Sequence, residues 1–251
     1  MIFFSHGDKG GVGKSMAATV LVETLLNRGR RVVVVESDLK MPDVATRFSG
    51  VSGVSSAATN LNRAGDGINA VANFVEQVEL AGAGADIVVN LPAGAGDTLD
   101  GDGEMLIEAL REIGQRARIC YSLGPSSEQA SAFSQSLESG LCSAVDPADI
   151  LLLLAGWQAD QGSFVWSVSA DRPAALASGV REFIVPRIQP DNVLDLLAKS
   201  TGRLSDFELS LPVFSRLYFH KWLGGFSQAV ETLMPPPAEI VEISTAKKSK
   251  G

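Results

Sequence analysis

Cysteine is nearly absent from this chain: Cys120 and Cys142 are the only two among 251 residues. With no C-x-x-C and no histidine beside either one, the sequence excludes a disulfide framework and a zinc ligand set and fits a reducing compartment. No apolar run reaches the roughly 20 residues that a membrane span needs, because Asp8 and Lys9 interrupt the first one. That run has no basic segment ahead of it, so the expectation is a soluble, unprocessed, cytoplasmic protein. Basic charge is also in short supply. The 21 Lys and Arg are outnumbered by 29 Asp and Glu, for a net charge of -8, which argues against wholesale capture by nucleic acid or anionic lipid and leaves room only for a local basic patch.

What the chain does have is apolar, β-branched runs bounded by Gly, Pro or Asp, at 2–5, 31–36, 86–91, 117–122, 150–155 and 182–185. They are near-continuous rather than alternating, as strands covered on both faces are. Helical patterns lie between them, at 15–28, 67–81, 104–115, 127–141 and 191–199. The alternation predicts an α/β fold: one mostly parallel, twisted sheet with helices on both faces. Residues 50–67, "GVSGVSSAATNLNRAGDG", read as a mobile surface connection. From 211 to 234, Tyr218, Trp222, Phe226 and Val230 recur at four-residue spacing, an apolar helix stripe read as core, although Gly224 and Gly225 would weaken an isolated helix by roughly 1 kcal/mol each. One domain over 1–234 and a flexible tail over 235–251 complete the expected organisation.

The chemistry concentrates at "GDKGGVGKSM", residues 7–16. A strand ends, glycines turn the chain, and Lys14-Ser15 open a helix, so backbone N–H groups and the helix N-terminus converge on an anion-sized space. Gly10, Gly11, Val12, Gly13, Lys14, Ser15 and Met16 form the expected triphosphate cradle. The glycines let the backbone approach phosphate oxygens, Lys14 reaches the β/γ-phosphates, and the Ser15 hydroxyl meets Mg²⁺.

The loop departs from the general G-x-x-x-x-G-K-[ST] pattern, since Asp8 stands at its first glycine and Lys9 follows. In its form K-G-G-x-G-K-[ST] it resembles the deviant Walker A motif of the ParA/MinD ATPases. The resemblance implies a single-domain P-loop NTPase fold, ATP and Mg²⁺ as cofactors, and an ATP-dependent homodimer in which Lys9 reaches the partner's phosphates. It therefore implies catalytic roles for Lys9 and Lys14, and a second cation there would offset developing phosphoryl charge as an arginine finger does. It further implies a protein partner that stimulates hydrolysis or is the cargo.

Glu36 and Asp38 sit at the end of the second strand, where an open parallel sheet presents ligand-contacting residues. Asp38 matches the water-orienting acid of the family's switch I and approaches the metal shell, while Glu36 and Asp43 carry less weight. In "ADIVVNLPAGAG" the resemblance holds at Asp86 and Pro92 but fails between them, where Asn90 replaces the Walker B acid. An amide can accept from a metal-bound water but brings no charge, so Ser15, Asp38 and Asn90 are the candidate metal residues, with Asp97 a further source of charge. The "PAGAG" segment looks like switch II. Pro186 and Arg187, after the last strand, are placed by position as base contacts.

Three readings follow: a ParA/MinD-type switch in plasmid maintenance or conjugative mobilisation, a nucleotide-holding module with little hydrolysis, and an amidoligase of the dethiobiotin or cobyrinic acid type. Relatives' use of late basic residues makes non-specific DNA a further candidate partner, through Arg181, Arg187, Arg203, Arg216 and Lys221, and a membrane is not expected.

Overall fold

The computed structural model describes residues 1–61, 67–81 and 84–236. Among them the elements run β1 (Ile2–His6), α1 (Lys14–Asn27), β2 (Arg31–Glu36), α2 (Asp43–Arg47), β3 (Val54–Ala58), α3 (Gly67–Ala81), β4 (Ala85–Asn90), α4 (Gly96–Glu112), β5 (Ala117–Leu123), α5 (Ser127–Ser139), β6 (Ile150–Ala155), α6 (Asp171–Ser178), β7 (Arg181–Val185), α7 (Asn192–Ala198), α8 (Leu204–Ser210) and α9 (Val213–Glu231). All seven strands are parallel, in the order β3-β2-β4-β1-β5-β6-β7. After β1 the chain builds outward to β3, returns through β4, then crosses β1 to build β5, β6 and β7. The reversal leaves a crevice at the carboxyl end of β1, where ligands of open α/β sheets bind.

The sheet separates two apolar cores. One joins Phe4, Phe74, Leu106, Phe133 and Trp166, and the other joins Phe3, Leu21, Phe207, Phe219 and Phe226. Side chains alternate along each strand, so neighbouring Phe3 and Phe4 go to opposite cores, as the pleat requires. Both cysteines are buried free thiols, and burial pushes Cys142 up to about 12.

The six expected strands form, and three features differ from expectation. Residues 54–58, inside the expected connection, are β3, which pairs with β2 from Val32↔Val54 to Glu36↔Ala58. As an edge strand with one neighbour it is mostly exposed, so its residues Val-Ser-Ser-Ala-Ala lack the apolar run that marks the others. Helix α4 starts at Gly96, well before the expected 104, and takes in Gly101 and Gly103. Gly103 lies so close to Leu141 that an added Cβ would stand 2.9 Å from its Cα.

In α9, Trp222, Phe226 and Val230 are buried as the stripe predicts, with Phe219 and Ala229 beside them, but Tyr218 is exposed and pairs with Phe214 in a tilted aromatic contact. The helix continues through Gly224 and Gly225 because its inner face is anchored on α1. Of the expected tail, only Pro235 and Pro236 are described; the Pro235 carbonyl accepts from Arg28 at 2.6 Å. The tail lysines and residues 62–66 lie outside the described residues.

Candidate nucleotide-binding site

The loop after β1 takes its shape from glycine. Gly11 and Gly13 have φ of 76° and 101°, and Gly13 is the left-handed N-cap from which α1 starts. That leaves the first-turn N–H groups of α1 pointing into the crevice. Asp8, at the position of the general motif's first glycine, has no positive φ, so the backbone accepts a side chain there. The carbonyl of Asp8 accepts from Gly94 N–H at 2.9 Å, which ties the expected switch II segment to the loop.

The two lysines part company. The Lys14 side chain is buried in the loop, its Nζ donating to the Lys9 carbonyl at 2.7 Å. Burial lowers its pKa to about 8 against the opposing pull of Asp38 and Asp8. Lys9 is half exposed and its Nζ lies 3.3 Å from the exposed Glu128 on α5, in a surface ion pair.

The strand ends bring the candidate acids together. The register aligns Glu36 with Asn90, and the Asn90 amide donates to Glu36 Oε1 at 2.8 Å. The same Nδ2 lies 3.5 Å from Ser15 Oγ, and Asn90 Oδ1 is buried with no hydrogen-bond partner. Glu36, which the sequence reading ranked below Asp38, is the buried centre of the group. Its Oε1 also accepts from Asp38 N–H and its Oε2 from Ala45 N–H, each at 3.3 Å. Burial pushes its pKa up, and the bonds from Asn90 and the backbone hold it down. Asp38 is half-buried and turns back on its own loop, accepting from Met41 N–H at 3.3 Å. The Asp97 side chain lies outside the described set. Asp86 sits at the opposite end of β4, where Arg30 grips it through two bonds at 2.8 and 3.2 Å and the Met1 amino group lies 3.3 Å away. It is a structural residue, away from the site.

Pro186 and Arg187 border a cavity of about 440 Å³ that Gly13, Met16, Trp157 and Trp222 also line. Trp222 Nε1 donates to the Pro186 carbonyl at 2.9 Å. The Trp157 indole rests over Gly13 so closely that an added Cβ would stand 2.5 Å from the ring, and the adjacent Gln158 donates to the Gly11 carbonyl at 3.0 Å. Sequence reading missed Trp157 and Gln158. The available signal was an aromatic residue directly after the apolar run 150–155, at the carboxyl end of a parallel strand.

Three of the late basic residues have partners within the chain. Arg203 is held by Glu23, Arg187 by Asp191, and Arg181 by the carbonyls of Thr232 and Ala148. Among the described residues no helix is long and apolar enough to cross a membrane.

A parallel α/β sheet with a glycine-rich loop and a helix N-terminus at its topological switch point defines a P-loop nucleotide-binding protein. Residues 4–120 match the CobQ/CobB/MinD/ParA nucleotide binding domain. Protein MobD of Acidithiobacillus ferrooxidans is 24% identical over 233 residues, covering 92% of this chain and 96% of that protein. The septum site-determining protein MinD of Pyrococcus horikoshii, solved with Mg-ADP, shares the fold at a TM-score of 0.56 and 14% identity, over 95% of this chain and 99% of that one. A MinC:MinD cell division complex of Aquifex aeolicus gives 0.54 and 11%, over 94% and 97%. Residues 4–120 thus resemble a nucleotide-binding domain of the CobQ/CobB/MinD/ParA type, and the chain shares its overall fold with MinD.

Proposed function

We propose that the protein is an ATP-dependent dimerisation switch, which binds MgATP, pairs with a second copy, and hydrolyses slowly to release it. The observation that carries this reading is the separation of the two lysines: Lys14 is buried in its own cradle and Lys9 projects to the surface beside it. A surface cation at the mouth of a triphosphate site is placed to meet phosphates held by another copy. The half-buried Asp38 beside Lys14 is the group to orient the attacking water.

For Mg²⁺, the residues fit. The Ser15 hydroxyl opens the helix at the loop with the Asn90 side chain 3.5 Å away, and Asn90 carries a buried acceptor, Oδ1, with no hydrogen-bond partner, which suits a water on the cation. The bound cation neutralises phosphate charge. The cavity between Trp157 and Trp222 suits the flat base, with Pro186 and Arg187 at its edge.

The task we assign is plasmid maintenance or conjugative mobilisation in the cytoplasm, which the likeness to a MobD protein favours. The MinC:MinD complex supports a protein partner. Non-specific DNA is the less favoured partner, since three of its five candidate cations are committed within the fold.

The amidoligase reading shares the matched domain and would use the 510 Å³ cavity beside Ser15, lined by Asp43, Arg47 and Lys199. Arg47 is already spent on the Leu197 carbonyl and Ser200, which leaves that cavity poorly equipped for an anionic substrate. Light scattering with ATP, ADP or neither, for wild type and Lys9→Ala, tests the switch. An ATP-specific dimer that Lys9→Ala loses is expected, and a monomer under all conditions refutes it. Hydrolysis that a metabolite rather than a macromolecule stimulates would move the reading to the amidoligase class.

A further inference from the structure

Asn90 stands where the resemblance puts an acid, and the structure shows why an acid does not fit there. Its side-chain nitrogen is 2.8 Å from Glu36 Oε1, and both residues are 1% exposed. An aspartate at 90 would press a second carboxylate against the first in a buried space, where like charges cannot both ionise. The amide orientation is set by the same contact, since the reverse orientation would point Oδ1 at the Glu36 carboxylate. Nδ2 therefore faces Glu36 and, at 3.5 Å, Ser15 Oγ, and Oδ1 is left as a buried acceptor without a hydrogen-bond partner.

Glu36 has two further bonds, from Asp38 N–H at the start of the segment that joins β2 to α2 and from Ala45 N–H within α2 itself. One buried carboxylate thus touches the amide beside Ser15, the N–H of the candidate water-orienting residue, and the next helix.

We propose that Glu36 and Asn90 form a one-charge pair in which the acid of the metal site has moved from β4 to β2. In this pair Glu36 is the positioning residue that supplies the negative charge beside the cation and holds the 37–45 segment in register with it. The inference rests on the nucleotide and Mg²⁺ reading above. It makes Asn90 a complement to Glu36 rather than a lost acid, and it predicts that the two side chains can exchange roles.

The test uses the full chain, a fluorescent ATP analogue and a Mg²⁺ titration, with thermal unfolding of the nucleotide-free protein as a fold control. Glu36→Gln, which keeps the size and an acceptor for Asn90, is expected to raise the Mg²⁺ midpoint by roughly tenfold or more. Asn90→Asp lowers the unfolding temperature by crowding two carboxylates. The double variant E36Q/N90D returns one acid to the pair and brings both the Mg²⁺ midpoint and the unfolding temperature back toward wild type, to within about threefold for the midpoint. Glu36→Asp, which keeps the charge, lies closer to wild type than Glu36→Gln.

A purely structural Glu36 would change unfolding and leave the Mg²⁺ midpoint where it was, and that result overturns the proposal. So does a double variant no better than Asn90→Asp in unfolding temperature, which applies even if Glu36→Gln alone does not fold. Absence of analogue binding by wild type, with Mg²⁺ and with a chelator, overturns the nucleotide reading and this inference with it. Normal binding with an unshifted midpoint in Glu36→Gln overturns this inference alone.

Discussion

His6 makes the fold sensitive to acid, and the size of the effect can be worked out from its surroundings. It ends β1, is 1% exposed, and meets the Tyr121 ring edge-on at a centroid distance of 4.9 Å. Neither ring nitrogen has a hydrogen-bond partner. The nearest acid, Asp100 Oδ1, is 4.0 Å from Nε2 and already accepts from Ser136 Oγ at 3.0 Å and Leu141 N–H at 2.7 Å. Burial lowers the His6 pKa from 6.5 to about 4, with Asp100 opposing and Lys14 reinforcing. In that interval the unfolded chain carries a proton that the folded chain does not, so stability is full above 6.5 and falls as pH falls. At about 1.4 kcal/mol per pH unit, the loss by about pH 4 comes to about 3 kcal/mol.

Glu36 contributes with the opposite sign, since its raised pKa lets the folded state hold a proton that the unfolded state has released. The comparison that isolates His6 is with His6→Leu, which strands no partner. Its stability at pH 7 should lie within about 1 kcal/mol of wild type. Urea unfolding at pH 7 and near pH 4 should show wild type losing about 3 kcal/mol more than His6→Leu. Parallel losses in the two proteins would refute the reasoning.

Lys14→Met should abolish binding of a fluorescent ATP analogue while raising the urea unfolding free energy of the free protein at pH 7, by about 1–3 kcal/mol, because a buried charge is removed. That gap should narrow as pH rises from about 8 toward 10.5, where the unfolded chain holds a proton that folded Lys14 has lost. Gly13→Ala should cost about 1–3 kcal/mol in chemical denaturation, from its φ of 101° and its clash with Trp157, and adding Trp157→Ala should recover only the clash. Asp86→Ala should cost about 2 kcal/mol, since the half-exposed Arg30 it leaves can turn to water, with ATP affinity unchanged because Asp86 lies at the far end of β4.

Much of the fold was legible because strands buried on both faces must be written as near-continuous apolar runs, as the five inner strands are, and even the half-buried edge strand β7 keeps a short one in Phe183–Val185. The edge strand β3 escaped because an exposed strand needs no such run. The loop at 9–15 was legible because a tight anion cradle needs glycines, a lysine and a hydroxyl close together in the chain. Trp157 and Gln158 escaped because their contacts with Gly13 and Gly11 are made across the sheet, from the end of β6. Tyr218 followed the four-residue stripe yet is exposed, since periodicity identifies a helix face but not how far along it the core extends.

The sequence by itself determined the parallel α/β layering, the phosphate loop and the presence of two lysines, because each is a local pattern in which neighbours in the chain are neighbours in space. Only the tertiary structure decided that Lys14 is buried while Lys9 faces outward, and that Asn90 is the hydrogen-bonded partner of Glu36. The register of β2 against β4 brings those two side chains together across more than fifty residues of chain, and no spacing within either strand records the distance between them.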